Sequence, residues 1–127
     1  MQAQLSKVKD FHEKFLQTIQ TKPGLLSFDE SQLRYNLMDE ENREYKEATD
    51  DNDIIEVLDA LADQLYILCG TILKHGLQDM IIPAFNLVHE NNMKKLGPDG
   101  KPILNATGKI IKPEGFEKVE LSTLFNK

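Results

Sequence analysis

The sequence predicts an all-α fold of four helices, followed by a short C-terminal hairpin or extended lobe. Apolar residues repeat at steps of three and four over long segments, and Pro and Gly cluster between those segments. Turn-forming residues dominate only after about residue 97. A chain of 127 residues is long enough for one domain with a core. We therefore expect a single domain, residues 1–127, with a helical core at about 4–96 and a lobe at about 97–127.

The first two helices are predicted to be amphipathic. Apolar residues at helical spacing place the first at about Gln4 to Ile19, and Lys22-Pro23-Gly24 ends it. The second begins near Ser27 or Asp29, either of which could cap it, and runs to about residue 48. Each of these helices should bury one face.

The third segment, Ile54 to Leu73, has apolar residues on nearly every side, which is typical of a helix buried in most directions. Two amphipathic neighbours would not cover it fully, so part of its surface is a candidate subunit interface. A fourth helix, capped by Gln78 or Asp79, is predicted to run to about Leu96. Its Pro83 then falls in the first turn, where proline is tolerated.

Composition and charge exclude several classes of protein. The formal net charge is −6 and no run of five Lys or Arg occurs, which argues against a duplex nucleic-acid binder. No stretch resembles an export signal or a membrane span. The single Cys69 has no disulfide partner in the chain, which fits a reducing compartment. We expect a cytoplasmic protein without membrane or duplex nucleic-acid partners.

Acidic residues interrupt the apolar stripe of the second helix. Glu40 and Glu44 continue the stripe of Leu33 and Leu37, and Glu41 lies beside them. These carboxylates are therefore predicted to point toward the helix bundle. For an isolated E-E-x-x-E pattern, a solvated acidic face is the ordinary alternative.

The third helix adds Glu56, Asp59 and Asp63 at steps of three and four on an otherwise apolar segment. Ionised carboxylates in such surroundings need compensation, and a metal ion would supply it. Oxygen ligands favour Mg²⁺, or Mn²⁺ as a substitute. The alternatives are ion pairs with Arg34 or Arg43, or a hydrogen bond between Asp63 and Tyr66.

Several blocks of the sequence resemble a known superfamily. The arrangement Glu40-Glu41-Asn42-Arg43-Glu44, an 11-residue spacer and Glu56-Val57-Leu58-Asp59 resembles the E-E-x-x-E…E-x-x-D signature of the all-α nucleotide pyrophosphohydrolases, which include MazG, dimeric dUTPases and phosphoribosyl-ATP pyrophosphohydrolase. Residues 88–95 resemble the V-H-x-S-N-M-S-K block of one branch, with Asn91 and Lys94 in place of serines, and residues 108–116 resemble its tail.

The resemblance implies a four-helix, MazG-like unit that forms a homodimer or homotetramer. It also implies Mg²⁺-dependent hydrolysis of a nucleoside triphosphate between the α and β phosphates, giving a monophosphate and pyrophosphate. The substrate stays open among dUTP, another noncanonical nucleotide and a phosphoribosyl compound. A non-catalytic helical oligomer and a nucleotide sensor that does not hydrolyse its ligand are the alternative functions.

The resemblance further implies a division of roles. The metal ligands would be Glu40, Glu44, Glu56 and Asp59, while Glu41 would be a ligand or the general base and Asp63 a supporting residue. The substrate would be contacted by Asn92 and Lys95, with Lys109 and Lys112 closing over its phosphates. A plain surface hairpin is the alternative for the last two lysines.

Overall fold

The computed structural model describes residues 1–125. The helices are α1 (Gln2–Lys14), α2 (Phe28–Asp50), α3 (Ile54–Lys74), α4 (Ile81–Met93) and a final 3₁₀ turn (Ser122–Phe125). Over these 125 residues, extended pairing is limited to isolated bridges, so the predicted all-α class with four helices is confirmed. The chain divides into an N-terminal unit, Met1–Asp79, and a C-terminal unit that begins at Met80. That both belong to one domain stays a prediction.

Side-chain caps fix the starts of α2 and α3. The Ser27 hydroxyl accepts a hydrogen bond from the backbone N–H of Glu30 at 3.2 Å. The Asp53 carboxylate accepts from the N–H groups of Ile55 and Glu56 at 3.1 and 3.2 Å. These bonds satisfy donors that the first turn of a helix leaves without partners. Ser27, rather than Asp29, is therefore the cap of α2.

Three helix ends differ from the prediction, and one of them is the C-terminal end of α4, which lies at Met93 rather than at about Leu96. α1 ends at Lys14 rather than Ile19, because Leu16 adopts a positive φ of 57° and the chain turns back. The following segment then binds the end of α3, where the Gln20 backbone N–H donates to the carbonyl of Leu73 at 3.1 Å. α4 begins at Ile81 without a side-chain cap, so neither Gln78 nor Asp79 has the predicted capping role.

The core of the N-terminal unit lies between α1, α2 and the C-terminal half of α3. The loop between α2 and α3 is short, so the two helices run antiparallel and side by side. Their small residues Ala48 and Ala60 are 5% and 2% exposed, which brings the helices together at the loop end. The other buried apolar residues are Leu5, Val8, Cys69, Ile72 and Leu73.

The N-terminal half of α3 is less covered than its composition predicts. Ile54, Ile55 and Leu58 are 77%, 74% and 69% exposed in the single chain. The prediction that α3 is buried on most sides is therefore wrong for its N-terminal half within a single chain. None of the described helices is long and apolar enough to cross a membrane.

The C-terminal unit contains α4 and the lobe that the sequence predicts. Antiparallel bridges join Leu96 to Pro102 and Leu104 to Ile110. The first encloses a turn in which the Gly97 N–H donates to the Lys101 carbonyl at 2.8 Å. The second encloses a turn in which the Asn105 side chain accepts from the N–H groups of Thr107 and Lys109. The first part of the lobe, residues 96–110, thus consists of two short bridged turns.

Candidate active site

The pairing of α2 with α3 brings acidic side chains of the two helices together. Glu41, Glu44 and Asp63 each offer a carboxylate oxygen, and the three oxygens lie within 4.8 Å of one another. We call these three residues the acidic cluster. Glu41 and Glu44 are three residues apart on α2, so they share a face, and Asp63 meets them from α3.

Glu41 has the most perturbed environment of the cluster. Burial raises its pKa to about 7, together with a hydrogen bond to Glu44 and the charges of Glu44, Asp63 and Glu40. That hydrogen bond requires a proton on one of the two carboxyl groups. The buried Oε2 of Glu41 has no hydrogen-bond partner among the described residues. Burial and the charges of Asp59 and Glu44 also raise the pKa of Asp63.

Glu44 connects the acidic cluster to a neighbouring pocket. This open pocket of about 350 Å³ is also lined by Glu56 and Asp59, the two acids predicted as ligands on α3. Its remaining walls are Glu47, Ala48, Asp51 and Ala60. Glu40 is exposed and belongs to neither group, although its charge acts on Glu41.

The basic residues proposed as alternative partners are engaged elsewhere. The buried Arg34 donates to the Thr71 hydroxyl at 3.0 Å and to the Ile67 carbonyl at 2.8 Å. Arg43 pairs with Asp39 at 3.3 Å. Within residues 1–125, no ion pair involves an acid of the cluster, and Asp63 has no hydrogen bond to Tyr66. Compensation by salt bridges therefore does not account for these carboxylates.

The arrangement fits a hard divalent cation. Its groups are carboxylate oxygens alone, which are the ligands that Mg²⁺ and Mn²⁺ prefer. A cation placed among them would give the orphaned Oε2 of Glu41 a partner and would offset the repulsion that raises its pKa. The residues present are thus chemically suited to hold such an ion.

An aromatic group lies beside the cluster on α3. Tyr66 follows Asp63 by three residues, so their side chains are neighbours on one helix face. Phe11 contacts the Tyr66 ring edge to face at a centroid distance of 5.6 Å and stacks on Phe15 at 4.3 Å. Phe15 is 64% exposed, so it is not a core side chain. The N-terminal unit thus presents an exposed aromatic surface near its acids.

The remaining predicted substrate residues belong to the C-terminal unit. Lys95 is partly buried, while Asn92, Lys109 and Lys112 are exposed. The ammonium groups of Lys95 and Lys112 lie 5.8 and 5.7 Å from the centroid of the Phe116 ring. The sequence alone gave Phe116 no role. The sequence signal for Phe116 is the Gly115-Phe116 pair, which follows Lys109 and Lys112 in the tail.

Four helices with clustered carboxylates on an adjacent pair are the features of the all-α nucleotide pyrophosphohydrolases, the superfamily that the sequence resembles. The sequence profile of phosphoribosyl-ATP pyrophosphohydrolase matches residues 8–92. The chain belongs to the phosphoribosyl-ATP pyrophosphohydrolase family. The match includes α2, α3 and every acid discussed above. No individual curated protein matches the chain.

Proposed function

We propose that the protein hydrolyses a nucleoside triphosphate between its α and β phosphates, in a Mg²⁺-dependent reaction that releases a nucleoside monophosphate and pyrophosphate. The observation that carries this proposal is the acidic cluster, whose oxygens lie within 4.8 Å of one another. The type of reaction is inferred from membership of a pyrophosphohydrolase family. dUTP or another noncanonical nucleotide is the substrate class that we propose.

The acids divide into two roles. Glu44, Glu56 and Asp59 would hold Mg²⁺, with Glu40 at the margin and Asp63 contributing an oxygen from α3. When bound, the ion would supply positive charge to the phosphates of the substrate. Glu41 would either join the metal ligands through its buried Oε2 or orient the attacking water and take up its proton. Mn²⁺ would substitute for Mg²⁺ because its ligand preferences are similar.

Each unit carries residues that we propose for substrate binding. Lys95, Lys109 and Lys112 carry charges that complement phosphate, and the Asn92 amide is a hydrogen-bond donor. In the N-terminal unit, the exposed Phe15 ring, stacked on Phe11, offers a surface on which a base can stack. An aromatic ring stacks on any base, so stacking on this surface would not distinguish one nucleotide from another. Base specificity would have to come from hydrogen bonds.

The protein is proposed to act as a homodimer or homotetramer in the cytoplasm. The exposed apolar residues at the start of α3 support the assembly, because a contiguous apolar surface in a single chain indicates an interface. Free Cys69 is buried, which is compatible with a reducing compartment. Size-exclusion chromatography with light scattering would measure the number of subunits, and a monomer would contradict the assembly.

Substitutions that preserve size test the roles of the acids. Glu41→Gln should lower pyrophosphate release by about 10² to 10⁴, the usual contribution of a general acid or base. Asp59→Asn should also lower it, because it removes a charged ligand of Mg²⁺. Glu13→Gln on α1 is the matched control, since it removes the same charge at an exposed position. Unchanged circular dichroism would show that the variants fold. Full turnover by Glu41→Gln would remove Glu41 from the mechanism.

Calorimetry separates the proposed enzyme from the two alternatives. An enzyme should bind Mg²⁺ and nucleotide and release product. Nucleotide affinity without product would indicate a sensor. Absence of both metal and nucleotide binding would leave a helical oligomer without catalysis.

A further inference from the structure

Two residues of α2 are buried, and they lie on either side of the acidic cluster. They are Arg34 near the start of the helix and Ala48 near its end, each 5% exposed. Glu41 and Glu44 lie between them. Ala48 offers only a methyl group, which packs without a preferred direction, whereas Arg34 offers directed hydrogen bonds. Arg34 is therefore the residue of α2 best suited to fix how this helix lies on its neighbour.

The Arg34 guanidinium is bonded to α3 at two places. Its Nη2 donates to the Ile67 carbonyl at 2.8 Å, and its Nε donates to the Thr71 hydroxyl at 3.0 Å. The Thr71 hydroxyl donates in turn to the same Ile67 carbonyl at 2.9 Å, so the three groups form a closed set of hydrogen bonds. Because the guanidinium is planar and rigid, two bonds from different nitrogens fix its orientation on α3.

Gly70 and α1 enclose this contact. Gly70 has no side chain, so Nη2 of Arg34 lies only 2.7 Å from the place that a Cβ atom would occupy. His12 of α1, which is 3% exposed, approaches the same place with its Nε2 at 3.0 Å. Hydrogen bonds shielded from water in this way are stronger than exposed ones, because the local dielectric constant is lower. The contact between Arg34 and α3 is thus enclosed as well as directed.

The charge of Arg34 is buried without a counter-ion. No carboxylate pairs with it in the part of the chain that the structure describes, and burial lowers the pKa of its guanidinium. Removing a charge from water is costly, and an apolar side chain of similar volume often packs at least as stably as a buried ionic group. Stability alone therefore does not explain an arginine at this position, whereas a requirement for fixed geometry does.

The contact of Arg34 lies two helical turns from the acidic cluster on both helices. Glu41 follows Arg34 by seven residues on α2, so the two share a face. Asp63 precedes Thr71 by eight residues on α3. Both separations are about 10–12 Å at the helical rise of about 1.5 Å per residue. The helices are antiparallel, so the two steps run in the same direction and bring Glu41 opposite Asp63.

We propose that Arg34 is a positioning residue of the candidate active site, which fixes the register of α2 against α3 and so holds Glu41 and Glu44 within reach of Asp63. A slip of one residue along the helix would displace these carboxylates by about 1.5 Å. A misplacement of about 1 Å can cost about 10²-fold in rate. The consequence for catalysis rests on the proposed function, whereas the register itself does not.

The first test measures Mn²⁺ binding to the full-length protein by electron paramagnetic resonance, without nucleotide. Arg34→Met keeps a long side chain but removes both hydrogen bonds, and it should weaken Mn²⁺ binding about 10–100-fold, the usual effect of losing a residue that orients metal ligands. Arg43→Met is the matched control, because it makes the same change at an exposed position of α2 that is closer in sequence to the acids. It should alter the affinity less than about twofold. Wild-type affinity in a folded Arg34→Met protein, or an equal loss in Arg43→Met, would overturn the proposal.

Thr71 supplies a second pair of variants in case Arg34→Met does not fold. Thr71→Val keeps the branched shape but removes the oxygen that accepts from Arg34, so Mn²⁺ should bind several-fold more weakly. Thr71→Ser keeps the hydroxyl and should restore the affinity. Circular dichroism would show that both variants are folded. Equal Mn²⁺ affinities of Thr71→Val and Thr71→Ser would contradict the positioning role.

Turnover separates a positioning role from a purely structural one. At saturating Mg²⁺, kcat of Arg34→Met should fall about 10²-fold. Its KM for nucleotide should change less than about threefold, because the proposed substrate residues are unaltered. A purely structural role would lower the folded fraction and leave kcat per folded molecule unchanged, which would refute the proposal.

Two outcomes distinguish the failure of the proposed function from that of the Arg34 role. Wild-type protein that binds Mn²⁺ but turns over no nucleotide would refute the proposed function alone, and the Mn²⁺ affinities would then test Arg34. If the wild type binds no Mn²⁺, a disulfide between Asn42→Cys and Gln64→Cys tests the register without metal, since these side chains are joined at 3.3 Å. Its equilibrium with glutathione should shift several-fold toward the dithiol in Arg34→Met. An unchanged equilibrium would refute the role of Arg34 alone.

Discussion

Gly70→Ala should destabilise the N-terminal unit, even though alanine is the better helix former. Gly70 lies on α3 where Arg34 and His12 pack against it. A Cβ atom there would lie 2.7 Å from Nη2 of Arg34 and 3.0 Å from Nε2 of His12. Arg34 cannot move away without cost, because its Nη2 donates to the Ile67 carbonyl and its Nε to the Thr71 hydroxyl.

The expected magnitude follows from three contributions. Loss of one hydrogen bond from a charged group costs about 1.5–3 kcal/mol. Overpacking of a tight site costs about 1–3 kcal/mol. In the opposite direction, replacing glycine by alanine inside a helix stabilises the folded state by about 1 kcal/mol. The free energy of unfolding should therefore fall by about 1.5–5 kcal/mol.

Urea unfolding followed by circular dichroism measures this change. Arg34→Met removes the hydrogen-bonding group that the new methyl would displace, so Gly70→Ala should cost less in that background than in the wild type. A Gly70→Ala variant that is more stable than the wild type by about 1 kcal/mol, the helix-propensity gain alone, would refute the packing argument.

Three further predictions address pH, capping and base stacking. Burial and the charges of Arg34 and Lys74 lower the pKa of His12 below 6.5, so the unfolded chain takes up a proton that the folded one does not. The free energy of unfolding should then fall as the pH drops below about 6.5, by at most about 1.4 kcal/mol per pH unit, and more steeply than in His12→Gln; equal slopes would contradict this. Asp53→Ala removes the cap of α3 and should cost about 0.5–2 kcal/mol in urea unfolding, while Asp53→Asn, which keeps an acceptor, should cost less. Phe15→Ala should change stability by less than about 0.5 kcal/mol but raise the KM for nucleotide at least about fivefold, and an unchanged KM would remove Phe15 from substrate binding.

The positions of the helices were largely predictable because local residues set them. Ser27 caps α2 in the structure, and polar residues before Ile54 predict the start of α3. The end of α1 was not predictable, since Ile19 continues its apolar period. Gln20 instead forms hydrogen bonds with the end of α3, which ends α1 earlier than its apolar spacing predicts. The two segments are more than 50 residues apart in sequence, so no local pattern reveals this contact.

The acids of the candidate site were identified from spacing, but their grouping depends on the register of two helices. Spacing places Asp63 on the face of Glu56 and Asp59, yet it does not show which turn of α2 lies opposite. The structure puts the carboxylate of Asp63 beside those of Glu41 and Glu44. Its role as a supporting residue stays a prediction. The ring of Phe116 between Lys95 and Lys112 likewise depends on how the tail folds back.

The products of nucleotide turnover test the central claim most directly. Wild-type protein with Mg²⁺ should convert a nucleoside triphosphate, tested across dUTP and other noncanonical and common nucleotides, into equimolar monophosphate and pyrophosphate. The reaction should stop in EDTA and in Glu44→Gln, which changes the carboxylate shared by the acidic cluster and its neighbouring pocket. Release of a diphosphate and inorganic phosphate, or no product from any nucleotide, would contradict the account.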